Sequence, residues 1–182
     1  REESDRLFRM VQGLLDMSRL KSGRIALDCG PGAPDALLEG AAAAIRSQAG
    51  AKSVVIAMEA SETLPAVWVD GARIEHVFMN LAGNAVKYAP EGGVVAMTAE
   101  AEADWVRFEV SDTGPGIPEA SLPHVFDPFY RAPDQGETPG AGLGLAIAQQ
   151  IAEAHGGRIE AANGDAGGAC FRVWLPRADA VE

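Results

Sequence analysis

Hydrophobic residues recur along most of this 182-residue chain with either a helical or a strand period. Apolar positions spaced three and four residues apart predict helices over residues 3–21, 35–49, 71–87 and 142–154. Alternating or short apolar runs predict strands over residues 24–28, 53–58, 66–69, 94–99, 105–110, 158–162 and 169–175. Residues 112–140 follow neither period, because they contain six prolines and several glycines. A loop of this length within a compact domain is usually functional.

The order of these elements indicates the fold class. Strands and helices alternate without a regular βαβ rhythm, and the late strands come in adjacent pairs. This order favours an α+β fold, a two-layer α/β sandwich with a mixed, mostly antiparallel sheet covered on one face by helices. The N-terminal helix is expected to lie outside this sandwich.

Composition excludes several classes of function. The chain has 15 Lys and Arg against 26 Asp and Glu, a net charge of -11, which argues against a nucleic-acid partner. An anionic ligand would therefore have to be held by local donors. Cys29 and Cys170 are too far apart for a CxxC metal or redox motif. No apolar run reaches the roughly 18 residues of a membrane span.

The helix predicted over residues 71–87 has two distinct faces. One face is apolar and is expected to pack in the core, while Asn80, Asn84 and Lys87 recur at four and three residues on another. A single asparagine at a helix edge is most simply a solvated residue. The three together, within the run NLAGNAVKY, indicate a polar face directed at a ligand.

Two glycine-rich segments could complete such a site. In SDTGPGIP, Asp112 ends a strand, where it could accept a hydrogen bond, although an ordinary turn explains this segment equally well. In GAGLGL, glycines run directly into a helix, whose first N–H groups favour a phosphate. The second segment fits neither the dinucleotide fingerprint nor the P-loop. Each signal alone is weak, but the three in this order form a specific combination.

These segments resemble the sequence boxes of the histidine kinases within the GHKL superfamily, which also includes gyrase, Hsp90 and MutL. HVFMNLAGNAVKYAP resembles the N box, VSDTGPGIP the first glycine box, VFDPFYRA the F box and PGAGLGLAIAQQIAEAHGG the second glycine box. GGACFRVWLP resembles the closing strand, and RLFRMVQGLLDMSRLKSGRI the second helix of the dimerisation and histidine-phosphotransfer domain. The resemblance implies that residues 1–22 are that helix. Residues 23–182 would be the catalytic ATP-binding domain with the Bergerat fold, its ATP lid at about 114–140.

The resemblance also implies a set of ligand-binding residues. The expected nucleotide site consists of Asn84, Lys87, Tyr88, Asp112, Gly114, Gly116, Ile117, Phe126, Phe129, Arg131, Gly140, Gly142, Leu143, Gly144 and Leu145. Asn84 would ligate the Mg²⁺ that bridges the ATP phosphates, Lys87 would reach a phosphate and Tyr88 would stack on adenine. Asp112 would accept the adenine amino hydrogens.

The remaining roles concern loops and the lid. Gly114 and Gly116 would let the chain pass the base, and the backbone of residues 142–144 would cradle the phosphates. Phe126 and Phe129 would anchor the lid, and Arg131 would close on the γ-phosphate.

Asn80 separates the kinases from the related ATPases in this comparison. Where those ATPases have a glutamate that activates water, this chain has an amide, which cannot act as a general base. The resemblance thus implies a histidine kinase that uses ATP and Mg²⁺, with Asn80, Lys87 and Arg131 as its catalytic residues. The three histidines, at positions 76, 124 and 155, are expected to be structural or surface residues, and the phosphoacceptor to lie upstream.

The implied partners are ATP, the chain's own histidine-bearing dimerisation domain in a homodimer, and the receiver domain of a response regulator. The implied location is the cytoplasm, with the parent protein anchored in a bacterial inner membrane. Two alternatives stay open. One is an ATPase of the chaperone or topoisomerase kind, against which Asn80 and the short lid argue. The other is a degenerate kinase domain that serves as a scaffold.

Overall fold

The computed structural model describes residues 26–60, 63–133, 141–165 and 167–181. Its helices are α1 (Pro34–Ala51), α2 (Gly71–Tyr88), α3 (Gly144–Ala154) and a 3₁₀ helix (Glu119–His124). Its strands are β1 (Gly30–Gly32), β2 (Val55–Ala60), β3 (Val67–Val69), β4 (Val94–Glu102), β5 (Trp105–Asp112), β6 (Arg158–Asn163) and β7 (Ala169–Pro176). The helix and domain predicted for residues 1–22 lie outside the described residues and stay predictions.

Five strands form the main sheet, in the order β2-β4-β5-β7-β6. Strands β2 and β4 are parallel, and every other neighbouring pair is antiparallel. Side chains alternate along β5, where Val106, Phe108 and Val110 are buried towards the helices while Arg107 and Glu109 on the other face are partly exposed. The predicted fold class, a mixed and mostly antiparallel sheet with helices on one face, is confirmed.

Helix α2 is anchored at the centre of the core. Phe78 of α2 packs on Phe108 of β5 with ring centroids 4.8 Å apart, and both side chains are fully buried. Ile74 and Leu81 lie one turn on either side and are equally buried. Burial of such side chains stabilises the fold by about 1.5–3 kcal/mol each. The rotation of α2 about its axis is therefore fixed, and with it the direction of the helix's polar face.

Two details of the predicted pattern differ from the structure. Residues 26–29 form no strand, and the short strand β1 occurs instead at Gly30–Gly32, where it pairs with β3. A Gly-Pro-Gly run has no apolar alternation, so its strand conformation depends on the partner strand. The segment predicted as a loop over residues 112–140 also contains the 3₁₀ helix. No helix in the described part of the chain is both long and apolar enough to cross a membrane.

His155 connects the end of α3 to the beginning of α2. The residue is 6% exposed. Its Nδ1–H donates to the Ile151 carbonyl at 2.7 Å, and its Nε2 accepts from the Asp70 N–H at 3.0 Å. One ring nitrogen donates and the other accepts, which is the pattern of a neutral imidazole. Asp70 in turn caps α2, since its Oδ1 accepts from the Arg73 N–H at 3.3 Å. His155 thus fixes two helices relative to each other.

We expect His155→Ala to lower the free energy of unfolding by about 1–3 kcal/mol, because the Asp70 N–H would lose its acceptor within a packed region. His155→Gln should recover part of this loss, since its amide oxygen can accept from the same N–H. Urea unfolding measures both variants. His76→Ala, at an exposed position on α2, is the control and should change stability by less than about 0.5 kcal/mol. Equal effects of His155→Ala and His76→Ala would contradict this role.

Candidate functional site

A cavity of about 300 Å³ opens between the polar face of α2, the end of β5 and the beginning of α3. This volume is at the lower end of the usual range for small-molecule sites, about 300–1,000 Å³. Its walls are formed by Asn80, Asn84, Lys87, Tyr88, Asp112, Gly116, Ile117, Val125, Tyr130, Arg131, Ala132, Ala141, Gly142, Gly144, Leu145, Ala169 and Phe171.

Helix α2 contributes amide and ammonium groups to one wall. Asn80, Asn84 and Lys87 all line the cavity, together with Tyr88 at the last helical position. The Lys87 ammonium lies 4.8 Å from the centre of the Tyr88 ring. The end of the helix is held by Lys52, whose ammonium donates to the carbonyls of residues 86 and 87 at 3.2 and 2.7 Å. The C-terminal turn that bears Lys87 and Tyr88 is therefore anchored to the turn after α1.

Asp112 provides a buried carboxylate to the cavity wall. Its side chain lies at the end of β5, and the residue is 6% exposed. Oδ1 accepts hydrogen bonds from the Gly114 N–H at 2.7 Å and from the Ala169 N–H at 3.4 Å. Burial raises the pKa of this carboxyl, while the two N–H donors lower it by a smaller amount. Both bonds end on Oδ1, so Oδ2 is the oxygen that a donor on a ligand would meet.

Two glycines near Asp112 lie so close to neighbouring backbone carbonyls that a side chain would not fit at either position. A Cβ on Gly114 would lie 2.6 Å from the carbonyl oxygen of Tyr88, and a Cβ on Gly168 would lie 1.7 Å from that of Asp112. Gly168 also has φ = +80°, a conformation that side chains rarely adopt. Gly114 therefore packs on the end of α2 instead of lining the cavity.

The beginning of α3 faces the cavity with its backbone. Gly142 and Gly144 line the wall, and no side chain within the described residues caps the first turn of α3. A Cβ on Gly144 would lie 3.0 Å from Oδ1 of Asn80, so the two helices nearly touch here. Uncapped N–H groups at the positive end of a helix dipole are suited to an anionic ligand.

The F-box residues occupy different surroundings. Phe126 packs edge-on against Phe171, with ring centroids 6.5 Å apart. Phe129 is 50% exposed, and its N–H donates to the Gly142 carbonyl at 2.8 Å. Arg131 lines the cavity. The backbone of this segment is thus tied to the loop before α3.

The structure brings most of the predicted residues together around one cavity. Gly114, Phe126, Phe129 and Leu143 lie next to it without lining it, and Gly140 lies outside the described residues. Six further wall residues were not predicted from the sequence: Val125, Tyr130, Ala132, Ala141, Ala169 and Phe171. Most are small or apolar, and nothing in their spacing distinguishes a cavity wall from ordinary core packing.

Comparison with known proteins identifies the class to which this site belongs. The family described as histidine kinase-, DNA gyrase B- and HSP90-like ATPases matches residues 69–179, which include α2, Asp112 and α3. The chain belongs to this family, and it is accordingly an ATP-binding domain.

Individual relatives include a sensor protein and histidine kinases. The chain is 39% identical over 174 residues to the sensor protein KdpD of Escherichia coli strain K12, covering 96% of this chain and 19% of KdpD. It is 35% identical to full-length ShkA in complex with AMPPNP, with a TM-score of 0.84 over 98% of this chain and 38% of that one. It is 27% identical to histidine kinase ThkA in complex with the response regulator protein TrrA, with a TM-score of 0.79 over 97% of this chain and 49% of that one. The chain spans about a fifth of the length of the first curated relatives that it matches.

We expect Gly168→Ala to destabilise the fold more than Gly167→Ala does, although both glycines have positive φ, +80° at Gly168 and +92° at Gly167. A Cβ at position 167 meets nothing within 4 Å, so only backbone strain of about 1–2 kcal/mol applies. At position 168 the clash with the Asp112 carbonyl adds about 1–3 kcal/mol of overpacking. Urea unfolding should separate the two, and the amide NMR shifts around Asp112 should move only in Gly168→Ala. Similar stability of the two variants would refute the close approach.

Proposed function

We propose that this chain is the ATP-binding catalytic domain of a two-component sensor histidine kinase. It would bind Mg-ATP and transfer the γ-phosphoryl group to a histidine upstream, for relay to a response regulator. One observation carries the proposal. A buried carboxylate and the uncapped beginning of a helix lie in the same cavity as two amides and a lysine on α2.

Asp112 fits the base end of the nucleotide. Adenine carries an exocyclic amino group, and a carboxylate oxygen accepts its hydrogens. The two backbone N–H groups hold Oδ1 in place, so Oδ2 is oriented before the ligand binds. A guanine would present a carbonyl oxygen at that position and be repelled. Tyr88, at the end of α2, would stack on the ring.

The phosphate end would be formed by α2 and α3. Backbone N–H groups near Gly142 and Gly144 favour the negative charge, and Lys87 and Arg131 would add positive charge. Asn84 would supply an amide oxygen to Mg²⁺. The described residues contain no cluster of three or more His, Cys, Asp or Glu side chains that could hold a metal. This fits a Mg²⁺ ion that takes most of its ligands from phosphate and water.

Asn80 favours transfer over hydrolysis. Its amide lies in the cavity wall against Gly144, and an amide cannot remove a proton from water. The γ-phosphoryl group would therefore be kept for an incoming histidine. In-line positioning and charge neutralisation, by Lys87 and Arg131 among others, account for most of what such a transfer requires.

The relatives support the rest of the proposal. ShkA was solved with AMPPNP, and ThkA with a response regulator. By analogy, the whole protein would dimerise through the domain that contributes residues 1–22 and would phosphorylate a receiver domain. A cytoplasmic catalytic domain on a membrane-anchored parent completes this proposal.

Calorimetric titration with AMPPNP, with and without Mg²⁺, tests the proposal. We expect the chain to bind AMPPNP and to bind it more tightly with Mg²⁺. Asn84→Ala should reduce the affinity in Mg²⁺ towards the metal-free value and leave the metal-free affinity unchanged. The control is Met79→Ala, at an exposed α2 position outside the cavity wall. No binding at millimolar AMPPNP would instead leave the scaffold alternative.

We expect Asp112→Asn to weaken ATP binding about 10- to 100-fold, because an amide NH₂ would face the adenine amino group and leave a donor unpaired.

The stability of the ligand-free Asp112→Asn variant, unlike its ATP affinity, should stay equal or rise. Burial raises the folded-state pKa of Asp112 above that of the unfolded chain, so stability is lost as the pH rises from the unfolded-state pKa through the folded-state pKa, and the full cost of the ionised form is present at neutral pH. At neutral pH the ligand-free variant should unfold at an equal or higher urea concentration than the wild type.

The raised pKa of Asp112 also makes the ATP affinity of the wild type depend on pH. As the pH falls through the raised pKa of Asp112, the carboxylate that accepts the adenine hydrogens is lost, and ATP affinity should fall. Asp112→Asn should lack this step. Weaker binding together with lower stability in the variant would point to misfolding and count against the base-binding role.

A further inference from the structure

The end of β6 contacts the loop that follows Asp112, residues 113–117, through two hydrogen bonds. Asn163 accepts the Ile117 N–H through Oδ1 at 2.7 Å and donates through Nδ2 to the Ile117 carbonyl at 2.8 Å. Both backbone groups of one residue are thus paired with one side-chain amide from a position 46 residues away. Ile117 is 8% exposed and lines the cavity, whereas Asn163 lies on the surface outside it.

Glycine at position 116 makes this contact possible. Gly116 has φ = +78°, and a Cβ there would lie 2.8 Å from Oδ1 of Asn163. Two further residues of the β6–β7 hairpin contact Asp112: Gly168 packs on its carbonyl, and the Ala169 N–H donates to its carboxylate. The β6–β7 hairpin therefore contacts the loop at both of its ends, residue 112 and residue 117.

We propose that Asn163 is a positioning residue that determines base specificity by holding the loop between Asp112 and Ile117 in its binding conformation. This inference rests on the proposed nucleotide function. Asn163 does not line the cavity but contacts the wall residues Gly116 and Ile117 from outside it, so its effect must pass through the loop. Few contacts separate Asn163 from the Asp112 carboxylate, because the Gly114 N–H within that loop donates a hydrogen bond to Oδ1 of Asp112.

The role follows from the small number of bonds that hold the middle of the loop. Residues 113–116 belong to no helix or strand. Thr113 is held by two hydrogen bonds to Val94, so the segment that follows it depends mainly on the bond from the Gly114 N–H to Asp112 and on the contact at Ile117. Release of Ile117 would allow Gly114 to move and Oδ1 of Asp112 to lose a donor. The direction of Oδ2 would then vary, and with it the ability to distinguish an amino group from a carbonyl oxygen on a purine.

The test compares the affinities of the 182-residue chain for ATP and GTP by calorimetry in Mg²⁺, for the wild type and Asn163→Ala. We expect Asn163→Ala to lower ATP affinity about tenfold, to change GTP affinity little, and so to reduce the ATP-to-GTP ratio about tenfold. Binding of inorganic tripolyphosphate, which reports on the phosphate end alone, should stay unchanged. The matched control is Asp165→Ala, an exposed residue in the same hairpin turn, which should keep the wild-type ratio.

The outcomes separate the two proposals. A wild-type chain that does not prefer ATP would overturn the base-binding role of Asp112 itself. A wild-type preference that persists unchanged in Asn163→Ala would overturn the role of Asn163 alone. Equal losses for ATP, GTP and tripolyphosphate, together with easier urea unfolding, would mean that Asn163 only stabilises the fold and would also overturn its role in specificity. Because Asn163 is exposed, its truncation leaves no core cavity, and the variant should fold.

Discussion

The packing of α2 on the sheet is the interaction on which the site depends. Phe78 and Phe108 are fully buried against each other, and the helix cannot turn about its axis without exposing Phe78, Ile74 and Leu81. Removal of one such side chain costs about 2–5 kcal/mol, a large part of the stability of a domain. That cost keeps Asn84 and the rest of the polar face directed at the cavity. Core packing thus orients the groups that would contact the ligand.

Glycines impose a second constraint where the site is built from backbone. A Cβ at Gly114 or Gly168 would clash with a neighbouring backbone carbonyl, and Gly144 of α3 packs closely on the Asn80 side chain. These approaches connect the beginning of α3 and the β6–β7 hairpin to α2 and β5. Within the loops that surround the cavity, a side chain at Gly114 or Gly168 would therefore force the backbone away from its neighbour.

Much of this arrangement could be predicted from the sequence, and the exceptions have a common cause. The elements α2, β5 and α3 follow from apolar periodicity, and Asp112 and Asn84 from short motifs with a specific chemistry. The roles of Asn163 and Lys52 could not be predicted, because each acts through backbone groups more than 30 residues away. The β1 strand was missed for the same reason, since only its pairing with β3 makes Gly-Pro-Gly extended. Long-range contacts to main-chain atoms leave no periodic signal.

Burial of Asp112 orients a candidate binding group but lowers the stability of the ligand-free fold. The Asp112 residue is 6% exposed, and its partly desolvated carboxylate destabilises the ligand-free fold, which is why burial raises its pKa. Two backbone N–H groups recover part of that cost, but both act on Oδ1. A donor on a ligand that reaches Oδ2 would offset more of the remaining desolvation cost. Under the proposed function, a wrong base would leave the carboxylate unpaired, so the cost to the ligand-free fold and the selectivity for the base would have the same physical origin.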